Sequence, residues 1–337
     1  MTIPVNVITG FLGSGKTTLL RRLLQAPALG DTAVLINEFG EIGLDHHLVG
    51  RIDERTMLLQ SGCICCSIRG ELSQSIRDLF DRRERGETPR FRRLVIETTG
   101  LAEPAPIVST ILADPVIRHH FRLGSIIAVV DVLNGARNLG TYPESLRQAA
   151  AADRLVISKS DIADPAMTAG LKELLGRINP AAPLLDGGTV SPGELLTDDP
   201  AETAELRRWL GEATQGGSAH GGEHGHDHDR NRHGADISAF CIAFDSPLQW
   251  EPFSLWLTML LHRHGERVLR VKGILDVAGG TTPVVVHGVQ HVIHPPAHME
   301  AWPDDDRRTR IVFITQGLSR ERIEASLATF NRLAAAA

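Results

Sequence analysis

This chain has no excess of basic residues. Its 41 Asp and Glu outnumber its 35 Lys and Arg, leaving a formal charge of −6, which argues against nucleic acid as the main partner. Long apolar runs are also missing. No stretch approaches the roughly 18 consecutive apolar residues of a membrane span, and residues 1–9 lack a basic leader and read directly as a strand. Neither a membrane partner nor a signal peptide is expected. Cysteine is scarce, with four in 337 residues, too few for a disulfide framework. Three of the four fall within positions 63–66, a clustering that points to thiol or metal chemistry in a reducing compartment, by default the cytoplasm. There is no internal repeat.

What is present is an ordinary globular composition, 42% apolar and 23% charged, on a chain long enough for two domains. Up to residue 212, short apolar runs at 3–9, 32–37, 93–97, 125–131, 154–158 and 183–185 alternate with helical patterns at 16–24, 70–83, 104–112, 143–151 and 165–178. That alternation predicts βαβ crossovers and an α/β domain with a mostly parallel sheet. The composition then shifts. Residues 213–236 carry six glycines, five of the fifteen histidines and almost nothing apolar, as expected of a flexible linker. Strand patterns at 237–244, 267–275, 284–293 and 309–315, with helices at 253–262 and 320–333, predict a smaller α+β domain over 237–337.

Gly10-Phe-Leu-Gly-Ser-Gly15-Lys16-Thr17 follows a predicted strand and opens a predicted helix, as a phosphate-binding loop should. Gly10, Gly13, Ser14 and Gly15 would aim successive N–H groups at a phosphate, with the helix end at Thr17 and Thr18 adding positive potential. Lys16, expected to be an exposed catalytic cation, would reach the β- and γ-phosphates, and Thr17 would ligate Mg²⁺. Glu97-Thr-Thr-Gly100 closes the apolar run 94–96. An acid there would hold the same Mg²⁺, and Gly100 lets a backbone N–H approach the γ-phosphate. Ser158-Lys159-Ser160-Asp161 is similar to the Asn-Lys-x-Asp guanine motif, with Ser158 standing in place of Asn. Asp161 can accept from two guanine N–H groups, whereas Ser158 has no amide to offer.

Gly62-Cys63-Ile-Cys65-Cys66 precedes the helical pattern at 70–83. Thiolates near a helix N-terminus have lowered pKa and bind Zn²⁺ or a similar cation. The turn would also suit a redox dithiol pair or buried structural thiols. A metal would need a further ligand, and residues 37–41 supply Glu38 and Glu41. His220, His224, His226, His228 and His233 could gather Zn²⁺, Ni²⁺ or Co²⁺ weakly on a flexible chain, or be incidental to a polar linker. His287 and His291, four apart on a presumed strand, are expected on one exposed face, and Cys241 is expected to be a small core residue.

In this order, the phosphate loop, Asn37-Glu38-Phe-Gly-Glu41, the Cys-x-Cys-Cys turn, Glu97–Gly100 and Ser158–Asp161 resemble the CobW-like family of P-loop GTPase metallochaperones. The smaller domain, with Arg270-Val-Lys-Gly273, resembles that family more loosely. The resemblance implies slow GTP hydrolysis with Mg²⁺ and binding of a transition metal, Zn²⁺ or Co²⁺, with nucleotide state controlling metal affinity and an unidentified client metalloprotein as recipient. It implies Cys63, Cys65 and Cys66 as metal thiolates with Glu41 a further ligand, and Lys16, Thr17 and Glu97 as the phosphate and Mg²⁺ apparatus. A metal buffer or sensor with vestigial GTPase activity is the alternative.

Overall fold

The computed structural model describes residues 2–37, 57–61, 68–196 and 237–335. The chain divides into two compact units, residues 1–174 with 183–200, and residues 175–182 with 201–337.

In the first unit, strands β1 (Ile3–Thr9), β2 (Thr32–Asn37), β3 (Met57–Ser61), β4 (Arg93–Glu97), β5 (Phe121–Asp131), β6 (Arg154–Ser158) and β7 (Leu184–Asp186) form one sheet in the order β3-β2-β4-β1-β5-β6-β7. Every pairing is parallel. The helices between them are α1 (Lys16–Leu24), α2 (Ile68–Glu84), α3 (Pro104–Ala113), α4 (Pro115–His120), α5 (Gly135–Thr141), α6 (Pro143–Ala151), α7 (Pro165–Ile178) and α8 (Pro192–Leu195). Strands covered on both faces read as continuous apolar runs. Accordingly β1 is buried at all seven positions and Val5, Val7 and Ile8 are wholly inaccessible. Each such side chain contributes roughly 1.5–3 kcal/mol on burial.

The parallel sheet places all seven strand ends on one edge, and each strand ends on a residue with a side-chain oxygen: Thr9, Asn37, Ser61, Glu97, Asp131, Ser158 and Asp186. Neighbouring strands bring some of these ends level, with Asn37 beside Ser61 and Asp131 beside Ser158. This is the edge where open α/β sheets bind ligands.

The second unit contains an antiparallel sheet, β11-β10-β9-β13-β8, built from β8 (Ile237–Phe244), β9 (Val268–Leu275), β10 (Val284–Val289), β11 (Val292–Ile293) and β13 (Thr309–Gln316), with β12 (Ala297–His298) added to β10. Helices α9 (Trp250–His264) and α10 (Arg320–Ala335) bury Phe253, Trp256, Leu257, Ile323 and Leu327 against Val271, Val286, Ile311 and Phe313. Trp256 Nε1 donates to Ser326 Oγ at 3.1 Å. On the alternate positions of the strands lie Arg270, Lys272 and Arg310, each under 7% exposed.

The strand expected over 284–293 is broken. Gln290 adopts φ 52 and the chain turns before β11, so His287 and His291 do not share a strand face. His287 is half-buried with its ring 5.8 Å from that of His294, while the exposed His291 meets the Leu261 carbonyl through Nδ1 at 3.0 Å. Cys241 is half-buried beside Ile274, Val285 and Val312, and burial pushes its thiol pKa up.

Candidate nucleotide site

The loop after β1 turns through two left-handed glycines, Gly13 (φ 70) and Gly15 (φ 91), the latter capping α1. The first turn of α1 contains no acidic residue, so its positive end is left for an anion. Lys16 is not the exposed cation expected. It is 8% exposed and folds back over its own loop, donating to the carbonyls of Gly10 at 2.8 Å and Phe11 at 3.2 Å. The backbone carbonyls hold the ammonium at the loop in place of water. Thr18 is exposed.

Thr17 and Glu97 come together across 80 residues of sequence, Oγ1 donating to Oε1 at 2.5 Å. Glu97 is 4% exposed at the end of β4, in register with Ile8 of β1. The buried hydroxyls of Ser14 and Thr99 have no hydrogen-bond partner among the described residues. A hydroxyl and a buried carboxylate in contact suit a hydrated Mg²⁺. Gly100 packs directly on the phosphate loop; a Cβ there would lie 2.6 Å from the Leu12 backbone nitrogen.

From the other side, β6 holds the loop. Ser158 Oγ donates to the Ser14 carbonyl at 2.6 Å, and Lys159 Nζ to the Gly13 carbonyl at 2.8 Å. Ser158 therefore ties residues 158–161 to the phosphate loop although it lacks an amide. Lys159 does so from a left-handed backbone (φ 60), with its ammonium 3.6 Å from buried Asp131. Such a conformation in a non-glycine residue is strained and is typical of functional loops. Asp161 is exposed at the adjoining turn.

Several residues on this edge carried no motif. Asp186 at the end of β7 accepts from Ser160 Oγ at 2.5 Å and from Gly188 N at 2.8 Å, and the Ser160 bond foremost lowers its pKa. The only tyrosine, Tyr142, stacks on Phe11 with centroids 4.6 Å apart. Gln148 of α6 donates from Nε2 to the carbonyls of Gly100 and Ala102 at 3.1 and 2.9 Å. A polar residue inside an amphipathic helix gives no sequence signal of such a role.

Cys63, Cys65, Cys66, Glu38, Glu41 and the linker histidines lie outside the described residues. Among the described residues there is no group of three or more His, Cys, Asp or Glu able to hold a metal ion, and no helix is long and apolar enough to cross a membrane.

Residues 4–186 match the model of the CobW/HypB/UreG nucleotide-binding domain. The chain belongs to this family. Residues 237–331 match the cobalamin synthesis protein CobW C-terminal domain. The zinc chaperone YjiA of Escherichia coli (strain K12) is 32% identical over 339 residues, covering 98% of this chain and 99% of that protein. The zinc-regulated GTPase metalloprotein activator 1 of Schizosaccharomyces pombe is 27% identical over 353 residues, covering 94% and 83%. Among solved structures, Zn(II)-bound YjiA GTPase from E. coli superposes with a TM-score of 0.66 at 28% identity, over 98% of this chain and 99% of that one.

Proposed function

We propose that the protein is a GTP-hydrolysing metallochaperone. In this reading it binds a transition metal, zinc or cobalt, at Cys63, Cys65 and Cys66, with Glu38 or Glu41 as a further ligand, and passes the metal to a client metalloprotein under nucleotide control. Residues 1–212 form the GTPase domain, residues 213–236 a histidine-bearing linker that gathers metal weakly, and residues 237–337 the second domain. The Thr17–Glu97 contact carries the reading, because it brings together, from two distant motifs at the strand-end edge of the sheet, the hydroxyl and carboxylate expected to hold magnesium. The names of the relatives favour zinc as the cargo.

The loop N–H groups and the α1 N-terminus bind the β- and γ-phosphates, and Lys16 neutralises charge that builds on them. Mg²⁺, held by Thr17 and Glu97, would supply further charge stabilisation. Asp161 selects guanine through its two acceptors, while Ser158 and Lys159 keep the loop in register with the base. Water attacks the γ-phosphorus and the bond to the β–γ bridging oxygen breaks, giving GDP and phosphate. No motif in the sequence matches a water-orienting glutamine, so slow turnover is expected.

β2 and β3 both run parallel to β1, so the chain leaves them at residues 37 and 61 on the edge that bears the phosphate loop. Residues 38–41 and the Cys-x-Cys-Cys motif follow those ends directly in sequence, which supports a coupling between γ-phosphate and metal. Titration of Co²⁺, read by its thiolate charge-transfer absorbance, tests this. Affinity should be tighter with a non-hydrolysable GTP analogue than with GDP by about 5- to 150-fold, the usual range of allosteric coupling. The double variant Cys65→Ala/Cys66→Ala should lose the signal and keep GTP affinity measured without metal. Equal Co²⁺ affinity in both nucleotide states would leave a metal buffer in place of a gated chaperone.

A further inference from the structure

Gln148 is 1% exposed, and both of its donor hydrogens go to the turn that follows Glu97-Thr-Thr-Gly100, one to the carbonyl of Gly100 and one to that of Ala102. Next to it, Arg147 pairs with Glu103 at 2.5 Å, so α6 grips three of the four residues from Gly100 to Glu103. The remaining polar atom of Gln148, Oε1, is buried without a hydrogen-bond partner among the described residues, as is Ser14 Oγ in the phosphate loop. Both residues line one small cavity beneath that loop, together with Asp131, Asn138 and Ser145. Its volume is about 10 Å³, close to the least that holds a single water, and its walls offer the two to four polar partners that a buried water needs.

We propose that Gln148 is a positioning residue for GTP hydrolysis, fixing the Gly100–Ala102 turn directly and joining it to Ser14 of the phosphate loop through one ordered water. The inference rests on the reading above that this turn faces the γ-phosphate. Gly100 already lies against Leu12. With its carbonyl held from the far side by Gln148, the peptides of the turn cannot rotate, and their N–H groups keep one direction as the γ-phosphate arrives. GDP has no γ-phosphate, so the grip bears on GTP and its transition state and not on GDP.

Gln148→Met keeps the volume and removes the bonds. Its turnover number for GTP should fall ten- to a hundredfold, the scale of a small misplacement at a reacting centre. GDP affinity should stay within about twofold, since the effect is confined to states that contain the γ-phosphate. Unchanged turnover, or GTP and GDP affinities that weaken together, would overturn the assignment. Should Gln148→Met fail to fold, Gln148→Glu serves. Its protonated carboxyl can donate to Gly100 while its carboxylate repels that carbonyl, so its turnover relative to the parent should rise as pH falls, and a flat ratio counts against the role. A crystal structure showing a dry cavity would overturn the link to Ser14. Lys16→Ala in the same assay separates the two levels. Its inactivity beside a fully active Gln148→Met overturns the Gln148 role alone, whereas an active Lys16→Ala overturns the phosphate-site reading and this inference with it.

Discussion

The two sheets handle polar residues in opposite ways. In the seven-stranded parallel sheet the strand interiors are mostly apolar, with Asn6 and Ser125 as buried exceptions joined by a hydrogen bond, and oxygens collect at the strand ends, from Thr9 through Glu97 to Ser158 and Asp186. In the antiparallel sheet, Arg270, Lys272 and Arg310 sit within the strands, buried at alternate positions. Apolar strand interiors hold the first sheet together, and its polar ends meet at one edge where a ligand can be bound without exposing the core. Buried cations inside a sheet are retained only if they are paired; Arg310 meets Asp304 at 2.8 and 3.0 Å. Polar substitutions at the strand ends of the first unit should therefore change activity, and those in the second unit should change stability.

Lys16→Ala is the strongest test of that contrast. It removes charge-assisted bonds to phosphate worth about 1.5–3 kcal/mol each, so GTP turnover should fall at least about a hundredfold. It also removes the bonds to Gly10 and Phe11, so calorimetry should show a modest loss of stability confined to the first unit. Activity near the parent level would remove the strand-end edge as the catalytic site. Asp161→Asn comes next. It exchanges two acceptors for one acceptor and a misplaced donor, and GTP affinity should weaken roughly tenfold, the value of one charge-assisted bond. Competition by ATP as effective as that by GTP in the parent protein would show that Ser158–Asp161 does not read guanine.

The first unit was far more legible in sequence than the second, and the reason is the same contrast. Contiguous motifs sit where buried strands end, so Gly10–Thr17, Glu97–Gly100 and Ser158–Asp161 marked the ends of β1, β4 and β6 in the sequence. β3 went unassigned because Met57–Ser61 is short and only its first three residues are apolar. The short helices α4, α5 and α8 were missed because four to seven residues give too little periodicity. Contacts that run across the fold left no local mark: nothing near Gln148 signals Gly100, and nothing near Ser160 signals Asp186. The burial of Lys16 was missed for a related reason, since its partners are carbonyls of its own loop. In the second unit the Gln290 turn was hidden because valines flank it on both sides, at 289 and 292, and Gln is not a usual turn residue.

The smallest effect belongs to the second unit. Asp306 takes a two-pronged contact from Arg308, Nε and Nη2 donating at 2.9 and 3.0 Å, and lies 3.6 Å from Arg310. The Arg308 bond, opposed by burial and helped by the Arg308 backbone N–H and the Arg310 charge, lowers its pKa to about 2. The unfolded chain restores an ordinary value near ~3.9. A depressed carboxyl pKa stabilises the folded state above the unfolded value, and that stabilisation disappears as pH falls towards the folded value. Asp306→Asn should thus cost something at pH 7, less as pH falls from about 4 towards 2, and nothing well below pH 2, where the carboxyl is protonated in the folded and unfolded states alike. Asp306 is 30% exposed, so solvent screening keeps the cost below about 1 kcal/mol. Three of the four tryptophans, Trp250, Trp256 and Trp302, are described residues of the second unit, so urea unfolding followed by tryptophan fluorescence reads chiefly that unit. GTP turnover at neutral pH should not change. A pH-independent loss would mean that the contact holds the turn by shape and not by charge, and a change in turnover would break the division of labour between the two sheets.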